Sequence, residues 1–137
     1  MTIKFCVREK GQPGVIGGGT KKFYAAIVTD GETTVDELVK DIEKFSALSE
    51  PDIRGVIIAL ENVIQNKLAE GRIVRLEKLG SLYPTLSSEG MNTPEEVNSR
   101  CIKELGINYR AGDRIKKAIN EAGLIKVDTP KANTKTV

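Results

Sequence analysis

The chain is 137 residues long, 39% hydrophobic and 29% charged, with a net charge of +2 and no histidine. That length fits one domain with a core of its own, and the absence of histidine removes the commonest general base and a frequent metal ligand. Apolar runs such as 56–60 fall far short of the roughly 20 residues a bilayer requires, so no membrane partner is expected.

The charge is unevenly placed. Residues 1–29 hold five basic and one acidic side chain, 30–82 seven and eleven, 83–108 two and four, and 109–137 seven and three. A basic surface made from the two ends is suited to phosphate; the same residues also read as the solvated, mixed-charge face of an ordinary globular protein. The opening stretch, MTIKFCVR, lacks the apolar segment of a secretory signal, which gives the expectation of a cytoplasmic protein. Cys6 and Cys101 have no metal-ligand spacing and are expected there as free thiols.

In chain order, Ile3, Phe5 and Val7 alternate with Lys4, Cys6 and Arg8, the period of a half-buried strand. Residues 11–20 hold five glycines and a proline and predict a flexible loop. Residues 22–29 are aromatic and β-branched and predict a second strand paired with the first. The period then changes. Val35, Leu38, Val39, Ile42 and Phe45 mark one face of a helix over 34–47, with Thr34 and Glu37 as a capping box. After a break at 46–49, Ser49 caps a second helix over 50–70, with Asp52 at the box position and Pro51 in the first turn. Its stripe runs Ile53, Val56, Ile57, Leu60, Val63, Ile64 and Leu68 to a C-cap at Gly71, nearly the helix's full length, and predicts a dimer surface.

From Arg72 the pattern is β again, and Gly80 predicts a tight turn or bulge between two strands. Residues 87–99 are polar and turn-rich, Leu105, Ile107 and Tyr109 alternate as a returning strand, and Ile115, Ala118, Ile119 and Ala122 predict a short helix ending at Gly123. A short strand is expected over 124–127, and residues 128–137 as a disordered tail.

Catalytic chemistry is thin. The stretch GVIGGGTKK lacks phosphate-loop spacing and no helix follows it. Glu95 and Glu96 have no partner base, and Cys101 has no histidine to activate it. No enzyme, cofactor, metal or small-molecule substrate is expected.

The order helix, helix, β-hairpin with a long polar tip, short helix is more specific, and two segments sharpen it. GRIVRLEKLGSLYPTL resembles the helix-to-sheet passage of the histone-like HU/IHF family, and INYRAGDRIKKAIN resembles its closing stretch. With KKFYAAIV near the start, the chain is most similar to an HU-like subfamily carrying an added N-terminal β extension. The resemblance implies an α+β, IHF-like fold: a helical hairpin base, a β-sheet with a β-ribbon arm, a short C-terminal helix and an N-terminal β extension. Residues 1–127 would be one DNA-binding domain, with 1–33 as the extension. It further implies a homodimer in the bacterial nucleoid that binds double-stranded DNA through phosphates and shape with little sequence preference, arm-tip prolines wedging between base steps. Carried onto this chain, the DNA-binding positions are Arg75, Lys78, Ser81, Pro94, Arg100, Lys103, Arg110, Arg114, Lys116 and Lys117.

The departures from the family pattern fall on the arm. Pro94 is followed by Glu95-Glu96 instead of a basic ribbon, Asp113 replaces the lysine after Ala-Gly, and Lys78 replaces the first glycine of the arm turn. Phosphate contacts are therefore expected from the body and not from the tip. An HU-fold dimer with a structural or protein-binding role stands as the alternative.

Overall fold

Alternation of apolar and polar residues at the start of the chain produces β1 (Thr2–Lys10), and the β-branched and aromatic run after the glycine loop produces β2 (Lys22–Val28). The computed structural model describes residues 1–131, which divide into two compact units. The first comprises residues 1–33 and the segment from 121 onward; the second is residues 34–120.

In the first unit β1 and β2 form an antiparallel hairpin, with Lys4 opposite Val28 at its base and Lys10 opposite Lys22 at its far end. The short strand expected near the C-terminus is present as β6 (Gly123–Lys126) and pairs in parallel with β1, from Thr2 opposite Gly123 to Phe5 opposite Lys126, so the sheet order is β2-β1-β6. Gly123 opens this strand instead of closing the preceding helix, because its N–H donates to the carbonyl of Met1 at 3.1 Å. Residues 128–131 of the expected tail have no regular structure, though the Thr129 hydroxyl donates to the carbonyl of Val7 at 3.1 Å; residues 132–137 lie outside the described residues.

The second unit opens with α1 (Val35–Phe45) and α2 (Glu50–Ala69). Thr34 caps α1 by accepting from the Glu37 N–H, while Ser49 and Asp52 cap α2 reciprocally, side chain to backbone in both directions. Gly71, at φ 80°, takes the left-handed turn that ends α2. An ion pair between Asp36 and Arg54 ties the two helices, and Val39 and Ile53 are buried.

A three-stranded sheet follows, in the order β3-β4-β5, from β3 (Val74–Arg75), β4 (Gly80–Ser88) and β5 (Ile102–Ala111), all antiparallel. Beyond Leu82 only β4 and β5 remain, and they project as a two-stranded arm. Pro84 sits there, where one edge of its strand has no neighbour to bond. A bulge at the distal end, between Ser87 and Ser88, leaves Lys103 as the extra residue of β5. The short helix α3 (Asp113–Asn120) closes the unit. This α+β arrangement of helical hairpin, β-ribbon arm and short C-terminal helix, with a β extension at the N-terminus, is the one the sequence led to.

Much apolar surface stays uncovered. The buried apolar side chains among the described residues are Cys6, Val39, Ile53 and Cys101. On α1, Leu38, Ile42 and Phe45 are exposed, the last at 90%, as are Val56, Leu60 and Val63 on α2.

Candidate nucleic-acid interface

Register decides which side chains share a face of the arm. Residues directly opposite in an antiparallel pair point the same way, and every second residue returns to that face. Arg75 is opposite Ser81, and Ser81 is opposite Arg110, so the three form one row across β3, β4 and β5. Tyr83 lies one step further along β4 on the same face, opposite Asn108. Its ring carries the Arg110 guanidinium at 5.0 Å from the centroid, and its hydroxyl accepts from Arg75 Nη1 at 3.5 Å. A guanidinium over an aromatic face is attracted by the ring's quadrupole, by about 0.5–1 kcal/mol at an exposed site. It also keeps its edge N–H donors free for a bidentate acceptor such as a phosphate.

The opposite face of the arm is apolar: Leu82, Pro84 and Leu86 against Tyr109, Ile107 and Leu105. Its distal part, Pro84, Leu86, Leu105 and Ile107, lines a cleft of about 840 Å³ together with Leu68 and Ala69 of α2.

Lys78 lies on a single helical turn, Glu77–Leu79, between β3 and β4. The Tyr109 hydroxyl donates to the carbonyl of Leu79, the Leu76 N–H donates to Gly80 at 2.8 Å, and the backbone of Gly112 packs directly on the carbonyl of Lys78. Gly112 immediately precedes α3, and its carbonyl accepts from the Lys116 N–H at 3.0 Å. The turn bearing Lys78 is thus held at the root of the helix bearing Arg114, Lys116 and Lys117, all three exposed, with Arg114 and Lys117 sharing a face by their spacing.

A profile described as an HU domain fused to a winged helix-turn-helix, immunoglobulin-like or glycine-rich motif matches residues 1–126. The chain belongs to this HU-HIG family. Among solved structures, one from Bacteroides vulgatus, provisionally described as a bacterial DNA-binding protein, aligns over 95% of this chain with a TM-score of 0.64. Sequence identity is 11%, so the likeness is one of fold, and this chain spans 50% of that one. No curated protein matches.

In this HU-HIG chain the ten positions singled out from sequence separate into groups. Arg75, Ser81 and Arg110 form the row on the sheet, and Lys78, Arg114, Lys116 and Lys117 surround the junction of turn and α3. Pro94, Arg100 and Lys103 stand at the far end of the arm, seven residues along β4 from Ser81, or about 23 Å at strand rise. The tip is closed on itself. Pro94–Glu96 and Ser99–Cys101 form two single helical turns, the Glu89 N–H donates to Cys101 at 2.8 Å, Thr93 donates to Glu96 at 3.2 Å, and the buried Cys101 thiol donates to the Glu96 carbonyl at 3.4 Å. Glu89, Glu95 and Glu96 surround Pro94 in sequence, and all are exposed. Sequence reasoning missed Tyr83; its position two residues after Ser81 was the available signal, since period two puts both on one strand face.

Proposed function

We propose that this HU-HIG protein is an HU-like, non-enzymatic architectural protein that acts as a homodimer in the bacterial nucleoid and holds duplex DNA by its phosphates with little sequence preference. The observation that carries the reading is the row Arg75–Ser81–Arg110 with Tyr83 beside it: two guanidiniums and two hydroxyls on one sheet face, beside the basic junction of Lys78 and α3. The HU profile over residues 1–126 and the DNA-binding description of the Bacteroides vulgatus protein support it.

Dimerisation is supported by the uncovered apolar stripes of α1 and α2 and by the apolar cleft between α2 and the arm, surface that a monomer leaves in water. The acidic, self-bonded tip favours contacts from the body over contacts from the arm ends. The same tip is the feature that favours the alternative, a dimer that docks protein through its arms.

A salt titration of binding to random-sequence duplex tests the reading. Each neutralised phosphate adds about −0.9 to the slope of log K against log salt, so Lys78, Arg110 and Arg114 from both protomers contribute roughly −5. Replacing Arg110 and Arg114 with Glu abolishes binding at moderate salt, whereas Pro94→Ala leaves it nearly unchanged. The reverse ranking places the grip at the arm tips, and no binding even at low salt leaves the protein-docking alternative.

A further inference from the structure

The β1–β2 hairpin extends past the strand that flanks it. β6 pairs with β1 only from Thr2 to Phe5, and beyond that point the hairpin is a two-stranded ribbon ending in the loop 11–21. Its two faces differ. Lys4, Cys6, Arg8 and Lys10 alternate onto one face, opposite Val28, Ala26, Tyr24 and Lys22, while Phe5, Val7, Ala25 and Ile27 occupy the other.

At the ribbon's outer end all the charges on this face are basic. Lys10 stands directly opposite Lys22, with Arg8 one step down and Lys21 at the edge of the loop. Like charges directly opposite across a strand pair destabilise it. Lys4, at the base, is neutralised by Asp30 at 2.8 Å, but among the described residues Arg8, Lys10, Lys21 and Lys22 make no ion pair. Glu9, next to both Arg8 and Lys10 in sequence, is opposite Phe23 on the other face.

The loop beyond is shaped, not merely long. Gln12 donates to Gly18 at 2.6 Å, Gly18 donates to Val15 at 3.0 Å, and Gly14, Gly17, Gly18 and Gly19 all take positive φ. The turn they build holds Ile16 at its apex, 103% exposed, with Val15 beside it. A fully solvated isoleucine above uncompensated positive charge fits a grooved polyanion, whose phosphates meet the lysines while the apolar tip enters between the strands.

We infer that the β1–β2 ribbon is a second DNA-binding element, in which Arg8, Lys10 and Lys22 contact phosphates and Ile16 seats in the minor groove. The inference rests on the proposed binding of duplex DNA and assigns part of it to the N-terminal extension, whose tip is basic where that of the β4–β5 arm is acidic.

The test uses the full chain and a fluorescent random-sequence 30-base-pair duplex. The double variant Lys10→Gln/Lys22→Gln removes four phosphate contacts from a dimer and makes the salt slope shallower by about 3.6, so that its loss of affinity at 50 mM salt is on the order of 10⁴-fold and narrows as salt rises. Its melting temperature is unchanged or slightly raised, since a like-charge pair is relieved. Ile16→Ser weakens binding several-fold and leaves the slope unchanged. If the double variant binds with the parent's slope while Arg110→Glu/Arg114→Glu abolishes binding, the ribbon inference is wrong and the body reading survives. If the parent binds no duplex at any salt, both fail. Vesicles rich in phosphatidylserine form the control arm; capture by them in preference to duplex also overturns the inference.

Discussion

A β-carbon at Gly112 would run into the carbonyl of Lys78, and one at Gly80, held at φ 117°, into the carbonyl of Arg110. Those two glycines let the turn bearing Lys78 close on the strand bearing Arg110. Gly112→Ala should therefore cost about 1–3 kcal/mol in urea unfolding, and DNA affinity should fall with it because Lys78 and Arg110 lose their spacing. Asp30 belongs to a different class of residue effect. Its hydrogen bond to Lys4, and then the lysine's charge, hold the carboxyl below its ordinary value of 3.8. A carboxyl with a depressed folded pKa adds stability above the unfolded value and loses it as pH falls through the folded one. Asp30 is fully exposed, so the expected difference in melting temperature between Asp30→Asn and the parent is small at neutral pH. It should vanish as the pH is taken below the carboxylate range.

At the scale of elements, the two helix caps make a matched experiment. Ser49 and Asp52 bond reciprocally, whereas at α1 Thr34 accepts from Glu37 and the return bond is missing. Ser49→Ala should cost about 1 kcal/mol and Thr34→Ala less, as read from thermal melts. Both cap residues were legible in the sequence, as were both helices, because a helix is specified by residues three and four apart; the full box expected at Thr34 and Glu37 forms in one direction only. The strands β1, β2, β4 and β5 were legible by the same local logic at period two. What the sequence did not disclose depends on residues far apart in the chain: that β6 lies parallel to β1, that Lys103 falls on a bulge, and that Arg75 and Arg110 flank Tyr83 from different strands. The ten candidate positions lie scattered along the sequence, and only the register divides them between body and tip.

At the scale of the whole molecule, the uncovered stripes of α1 and α2 lead to the expectation of a dimer at micromolar concentration in sedimentation. Replacing Ile57 and Leu60 with Asp should give an unfolded or monomeric protein, because each aspartate would be buried without a partner in the interface. A stable folded monomer of the parent chain would remove the dimer from the proposal. The parallel pairing of β1 with β6 also has a consequence in time. The sheet β2-β1-β6 draws on both ends of the described chain, and the whole of residues 34–120 is spelled out between its second and third strands. On the ribosome the β1–β2 hairpin emerges first, yet its third strand follows roughly 95 residues later, about 5–20 s at ordinary rates of synthesis. An isolated hairpin is marginal in water, so the helical hairpin and arm should be folded before the extension that precedes them. A nascent chain stalled with residues up to 120 exposed should show hydrogen-exchange protection in α2 and β4 but not in β1. Release after residue 127 should bring β1 protection up in a single late step.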